Sequence, residues 1–171
     1  ECTRIIFISD VHLGHRYTPT TYIVDNLLLY VVNDRVFKEL DALIISGDLF
    51  DKLLKLNVKG LSCIHRLIFE MLRLAKLYNV AIRILEGTPS HDMEQAKIII
   101  DINAYRGFNA DVKYYDTCQI INDEALGLTI GYIQDEHLDS YIEAQAEMEG
   151  HPLLSPSVSM HTIGAGGGSI A

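Results

Sequence analysis

Three short clusters of acidic and histidine residues follow three apolar runs along the chain. Asp10 and His12 follow the first run, Asp48 follows the second, and residues 87–92 (GTPSHD) follow the third. Carboxylate and imidazole groups bind metal ions and transfer protons, so the pattern predicts a metal-dependent phosphoesterase site. This prediction requires the three clusters to meet in space.

The first cluster has the spacing of two metal ligands. Residues two apart in an extended chain share a face, so Asp10 and His12 would point to the same side. A carboxylate with a neutral imidazole suits manganese, iron or zinc better than magnesium or calcium. The alternative is a turn with a surface histidine.

The second and third clusters suggest a bridging ligand and a proton donor. The two oxygens of Asp48 could bridge two metal ions, and the preceding Gly47 lets backbone come close; the alternative is a helix or turn cap. His91 could protonate the leaving oxygen of a phosphodiester, with Asp92 orienting its imidazole. The alternative is an ordinary turn with a solvated histidine.

Alternating strands and helices must position these clusters. The apolar runs and helical spacings predict strands at residues 4–9, 42–46 and 81–86 and helices at residues 21–40, 57–78 and 95–105. The apolar runs of the strands predict burial on both faces, as in a parallel sheet. Open α/β sheets bind ligands at the carboxyl edge, so we expect the clusters to converge there.

After residue 106 the pattern changes. Short strands at residues 112–115, 119–121 and 128–133, separated by turn-like Asn122-Asp123 and Gly127, predict a second sheet or an antiparallel edge rather than further crossover units. Residues 140–149 predict a helix with a solvated acidic face. We expect residues 1–150 to form one domain and residues 151–171, rich in Gly, Ser and Pro, to be a loose tail foreign to it.

The composition limits the partners. A net charge of -9 argues against holding nucleic acid by a general surface field, although bound cations reverse the charge locally. Three cysteines without close spacing suggest reduced thiols, and no apolar run is long enough to span a bilayer. With no visible signal peptide, we expect a cytoplasmic protein without a membrane partner.

The clusters resemble the signature of the calcineurin-like metallophosphoesterases, which is D-x-H, then G-D, then G-N-H-D/E. Residues 7–14 (FISDVHLG) and 44–51 (IISGDLFD) match the first two motifs. The third is a variant, because Ser90 stands where the family usually has asparagine. The resemblance covers roughly residues 4–138.

Within that superfamily, the chain looks most like SbcD-type DNA repair nucleases, especially phage-borne versions. Residues 47–51 (GDLFD), 87–92 and 131–137 (GYIQDEH) carry this closer resemblance. It implies an α/β sandwich of mixed sheets flanked by helices, a manganese-dependent exo- or endonuclease acting on DNA, an SbcC-type ATPase partner and a homodimer.

The resemblance also implies residue roles. Asp10, His12 and Asp48 would bind metal, with Asp48 bridging two ions, and His91 would be the catalytic acid while a metal-bound hydroxide attacks phosphorus. Asp92 would support His91. Ser90 would be a weaker donor than asparagine, so the second ion would be held less tightly.

The chain departs from the family at its end. The family completes its site with a later histidine and a final G-H-x-H, whereas Gly150-His151 is followed by Pro152 and His161 stands alone. We therefore expect a nuclease domain lacking its C-terminal portion, with at most one tight metal site and weak activity. His15 and His65 are interpreted as surface or helix residues.

Two other functions are open. One is a phosphodiesterase or phosphatase acting on nucleotides or phosphoproteins, which the acidic charge mildly favours. The other is a non-catalytic subunit that keeps the fold with an incomplete metal site, which Ser90 and the missing histidine motifs suggest.

Overall fold

Four parallel strands form the centre of the fold. The computed structural model describes residues 3–55 and 60–133. Its elements, in chain order, are β1 (Ile5–Ile8), α1 (Thr20–Tyr30), α2 (Asp34–Phe37), β2 (Ala42–Ser46), α3 (Leu61–Tyr78), β3 (Ala81–Leu85), a 3-10 turn (Gln95–Lys97), α4 (Ile98–Tyr105), β4 (Val112–Tyr115), β5 (Gln119–Asp123) and β6 (Leu128–Tyr132). Strands β1 to β4 lie side by side in chain order, and β5 pairs with β6 in a separate antiparallel hairpin. The α/β class with helices flanking the sheet is as predicted.

The central strands β2 and β3 are buried on both faces, as their continuous apolar runs predict. Leu43 and Ile45 of β2 join Ile82 and Ile84 of β3 in the apolar core that also contains the buried faces of α1 and α3. Burying side chains of this size contributes about 1.5–3 kcal/mol each. The edge strand β1 meets the prediction only in part, because Phe7 is 38% exposed.

Residues 21–40 form two helices, so the single long helix predicted for them is wrong. Asn33 lies between the two helices in an extended conformation, and its side-chain oxygen accepts a hydrogen bond from the Val36 N–H at 3.1 Å. Its side-chain nitrogen donates to the Leu29 carbonyl at 2.9 Å. One asparagine therefore satisfies backbone groups of both helices, and such side-chain competition interrupts a helix.

Two predictions for the region after residue 106 are also wrong. Strand β4 pairs in parallel with β3, so α4 is a further crossover helix. Asn122 and Asp123 belong to β5 rather than to a turn, and the chain reverses over residues 124–127. The expected second sheet is confirmed for β5 and β6, which form the hairpin.

A buried ion pair fastens this hairpin to the parallel sheet. Arg83 of β3 points away from the helices, and its side chain is 0% exposed, as is that of Asp123 in β5. The guanidinium donates to both oxygens of Asp123, with Nη2 at 3.0 Å from Oδ1, and also to Asp111 Oδ2 at 2.8 Å. Beside this pair the rings of Tyr115 and Tyr132 stack with their centroids 3.9 Å apart. The hairpin therefore packs against β3 and β4 on the sheet face opposite the helices.

Several predictions concern residues outside the described ranges. These are the start of the second helix at residues 57–59, the helix at residues 140–149, the tail at residues 151–171 and His151 and His161. Among residues 3–55 and 60–133, no helix combines the length and apolar character needed to cross a bilayer.

Replacing Asp123 by alanine should lower the free energy of unfolding by about 3–5 kcal/mol, because Arg83 would keep a buried charge with Asp111 as its remaining carboxylate partner among the described residues. Urea denaturation followed by circular dichroism measures this change. The double variant Arg83→Met/Asp123→Leu should recover most of the loss, since it removes both charges. A loss below about 1 kcal/mol in Asp123→Ala would contradict a buried role for the pair.

Candidate metal centre

The loops after β1, β2 and β3 lie side by side at the carboxyl edge of the sheet. Hydrogen bonding between the first two loops continues beyond the strands, with the His12 N–H donating to the Asp48 carbonyl at 3.0 Å and the Leu13 N–H to the Leu49 carbonyl at 2.9 Å. The parallel pairing of β2 with β3 brings the third loop alongside. The sheet therefore delivers all three predicted clusters to one place.

Three of the predicted side chains form a compact group, which we call the His12–Asp48–His91 cluster. Each offers one ligand atom, and these atoms all lie within 4.8 Å of one another. The two imidazole rings meet edge to face with their centroids 5.0 Å apart. Two imidazoles and a carboxylate suit manganese, iron or zinc.

Asp48 is held as an acceptor by the loop after β3. Its Oδ1 accepts hydrogen bonds from the Thr88 N–H at 2.7 Å and the Thr88 hydroxyl at 2.9 Å, and its Oδ2 lies 3.0 Å from His91 Nδ1. Partial burial raises the pKa of Asp48, but the hydrogen bonds from Thr88 and His91 outweigh it and the net pKa is lowered. Asp48 is therefore an ionised carboxylate suited to a cation.

His12 lies between two carboxylates. Its Nε2 is 3.9 Å from Asp10 Oδ1, and its Nδ1 is 3.5 Å from Asp51 Oδ1. That Nδ1 is buried and has no hydrogen-bond partner among the residues that the structure describes. A cation bound between this nitrogen and the neighbouring carboxylates would give the nitrogen the partner that it lacks.

Asp51 is the residue that the sequence reasoning missed. The Asp51 N–H donates to the Leu13 carbonyl at 3.0 Å, and Leu13 bridges Phe50 in parallel. This extension of the β1–β2 pairing sets Asp51 beside His12. A second acidic residue three positions after Asp48 was the available signal.

The backbone at the site is unusual. Asp10, His12 and Asp48 all have left-handed conformations, with φ of 51°, 51° and 50°. The extended geometry assumed for Asp10 and His12 is therefore wrong, although their side chains still lie near each other. Non-glycine residues in this region are strained and concentrate at functional sites.

Gly87 allows the second and third loops to touch. A Cβ at this position would overlap the Asp48 backbone nitrogen and crowd the carboxylates of Asp48 and Asp92. Gly47, with φ of 90°, faces Gly87 from the other loop. Glycine is required here because backbone approaches backbone.

Asp92 connects the loops after β2 and β3 through its hydrogen bonds. Its side chain is fully buried; Oδ1 accepts the Phe50 N–H at 2.7 Å and Oδ2 accepts the Gly87 N–H at 2.8 Å. Burial raises the pKa of this carboxyl, and the two N–H groups act in the opposite direction. Asp92 was expected to orient His91, but its oxygens bind backbone, and the His91 imidazole faces Asp48.

Two predicted ligands lie outside the compact group. The side chain of Asp10 is 47% exposed and accepts a hydrogen bond from the Ser9 hydroxyl at 2.7 Å. Ser90 is exposed on the turn between Thr88 and His91. Among the His, Cys, Asp and Glu side chains of the described residues, the group that could hold an ion contains His12, Asp48 and His91 but not Asp10.

No protein-family model matches the chain, and no curated protein matches it.

Replacing Asp92 by alanine should lower the free energy of unfolding by about 2–4 kcal/mol, because the buried N–H groups of Phe50 and Gly87 would lose their acceptor. Thermal and urea denaturation measure the loss. The exposed Glu124→Ala is the matched control and should change stability by no more than about 0.5 kcal/mol. Equal effects of the two substitutions would show that Asp92 does not tie the loops.

Proposed function

We propose that the chain hydrolyses phosphodiester bonds of DNA with bound divalent metal ions, manganese foremost, as a nuclease of the SbcD type. The observation that carries the proposal is the His12–Asp48–His91 cluster, whose ligand atoms lie within 4.8 Å of one another at the carboxyl edge of the sheet. The strained backbone of His12 and Asp48 and the buried His12 Nδ1, which has no hydrogen-bond partner among the described residues, support a functional role.

The donor set fits a divalent ion. His12 and Asp48 would hold it, with Asp10 as a neighbouring carboxylate that extends the set. Ser90 remains the proposed weak donor for a second ion. Bound divalent cations activate water and neutralise the charge that develops on the phosphoryl oxygens.

His91 has the contacts of a general acid. Because Asp48 is ionised and can only accept, the 3.0 Å contact requires a proton on His91 Nδ1. A carboxylate at this position fixes the orientation of the ring. Because Asp48 occupies Nδ1, Nε2 is the ring nitrogen from which His91 would give a proton to the leaving oxygen.

A phosphodiesterase or phosphatase of nucleotides or phosphoproteins is the second candidate, favoured by the net charge of -9. Such an enzyme would use the same cluster on a small or protein-bound phosphate. The resemblance to SbcD-type nucleases also implies an SbcC-type ATPase partner and a homodimer, which we propose on that ground alone.

Manganese should stabilise the folded chain through the cluster. At a concentration about 100 times its dissociation constant, the ion should add about 2.7 kcal/mol to the free energy of unfolding. Asp48→Asn should abolish this gain because it removes the anionic oxygen, whereas Asp101→Asn, on an exposed position of α4, should retain it. Calorimetric titration checks both variants, and equal binding by the two would refute the assignment.

His91→Gln should lower the rate of manganese-dependent hydrolysis of a chromogenic phosphodiester by about 100-fold or more, the size of a general-acid contribution. His65→Gln, on an exposed position of α3, is the control and should leave the rate unchanged. Degradation of linear DNA in preference to cyclic nucleotides would favour the nuclease. Hydrolysis that is indifferent to both His91 and manganese would contradict either candidate function.

A further inference from the structure

A chain of ring contacts leads from the His12–Asp48–His91 cluster to the protein surface. The His12 and His15 rings have centroids 6.3 Å apart, and His15 meets Tyr17 edge to face at 5.9 Å. His15 and Tyr17 belong to residues 14–19, which connect the first cluster to α1 and which we call the rim loop. Tyr17, at the end of this path, is 79% exposed.

His15 gives the rim loop a fixed shape. Its Nδ1 accepts the Thr18 N–H at 3.2 Å and the Tyr17 N–H at 3.4 Å, and the Thr18 hydroxyl lies 3.2 Å away. Backbone donors can bind only an unprotonated ring nitrogen, so the neutral ring carries its proton on Nε2. The backbone that presents Tyr17 is thereby tied to a ring in contact with His12.

The charge of the rim loop suits an anionic partner. The chain carries a net charge of -9, yet no Asp or Glu occurs between Asp10 and Asp25. Arg16 lies over the Tyr17 ring, with its guanidinium carbon 5.3 Å from the centroid. An exposed aromatic ring joined to a cation is how proteins hold unpaired bases beside a phosphate backbone.

Exposure alone does not distinguish Tyr17. Tyr105 is 87% exposed and also has an arginine near its ring, with Arg106 at 6.0 Å. Tyr105 ends α4, however, and the chain then enters β4 at the amino edge of the sheet, opposite the cluster. Only Tyr17 of this pair adjoins the proposed site.

We infer that Tyr17 is a specificity-determining residue that stacks on an unpaired base next to the phosphodiester at the cluster. This inference rests on the proposed function and deepens it, because it names single-stranded nucleic acid as the form recognised at the rim. Arg16 contributes the attraction to phosphate, and the stack on Tyr17 contributes the requirement for a base. A phosphodiester without a base would lack that second contribution.

The absence of tryptophan from the chain allows a direct test. Tyr17→Trp introduces a single tryptophan at the rim, and Tyr105→Trp introduces one at the matched distant position. Each variant is titrated in EDTA with a 12-residue oligothymidylate and with an abasic strand of the same length. We expect fluorescence quenching in Tyr17→Trp with the oligothymidylate, at an affinity about tenfold or more above that for the abasic strand. Tyr105→Trp should show no quenching.

Equal affinities for the oligothymidylate and the abasic strand would show that the strand is held by its phosphates alone, and would overturn the inference. Equal quenching of the tryptophans at positions 17 and 105 would also overturn it. Variants of Tyr17 that contain no tryptophan provide a second measurement. Tyr17→Phe should keep the affinity for a labelled oligothymidylate, and Tyr17→Ser should lower it about tenfold; an unchanged affinity in Tyr17→Ser would also overturn it.

The binding and hydrolysis measurements distinguish a failure of the proposed role of Tyr17 from a failure of the proposed nuclease function. Base-dependent quenching without manganese-dependent hydrolysis would uphold the role of Tyr17 and refute the nuclease. Hydrolysis that depends on His91, without base-dependent quenching, would uphold the nuclease and refute the role of Tyr17.

Discussion

The hydrogen bonds of Asp92 hold the candidate site together. One buried carboxylate accepts the Phe50 N–H from the loop after β2 and the Gly87 N–H from the loop after β3. The first of these loops is in turn paired with the loop after β1 through His12 and Leu13. These hydrogen bonds hold together three segments that are distant in sequence, so that His12, Asp48 and His91 lie within reach of a single ion.

The residues of the cluster are arranged as in a preformed binding site. Asp48 is ionised and held by Thr88, and His12 keeps a buried nitrogen without a hydrogen-bond partner among the described residues. Left-handed backbone at Asp10, His12 and Asp48 stores strain that the surrounding hydrogen bonds sustain. Strain and an unsatisfied group both oppose folding, so their coincidence at one sheet edge supports a role in binding.

Sequence reasoning located the strand ends well and the local geometry poorly. A continuous apolar run predicted the bounds of β2, Ala42–Ser46. Because the carboxyl ends of parallel strands lie at the same edge of a sheet, the predicted strands also implied that the three clusters lie close together. Periodicity could not reveal that Asn33 interrupts a helix, since that depends on one side chain competing for backbone groups. It also could not assign Asp51 and Asp92 their contacts, which arise only when separate loops pack together.

We propose that His12, Asp48 and His91 surround a divalent cation. Anomalous diffraction from crystals soaked in manganese would show whether they do, because the signal marks the ion independently of any activity. We expect a peak at bonding distance from His12 and Asp48, adjacent to His91. A manganese peak elsewhere, with none at this cluster, would show that these three side chains do not form a metal site.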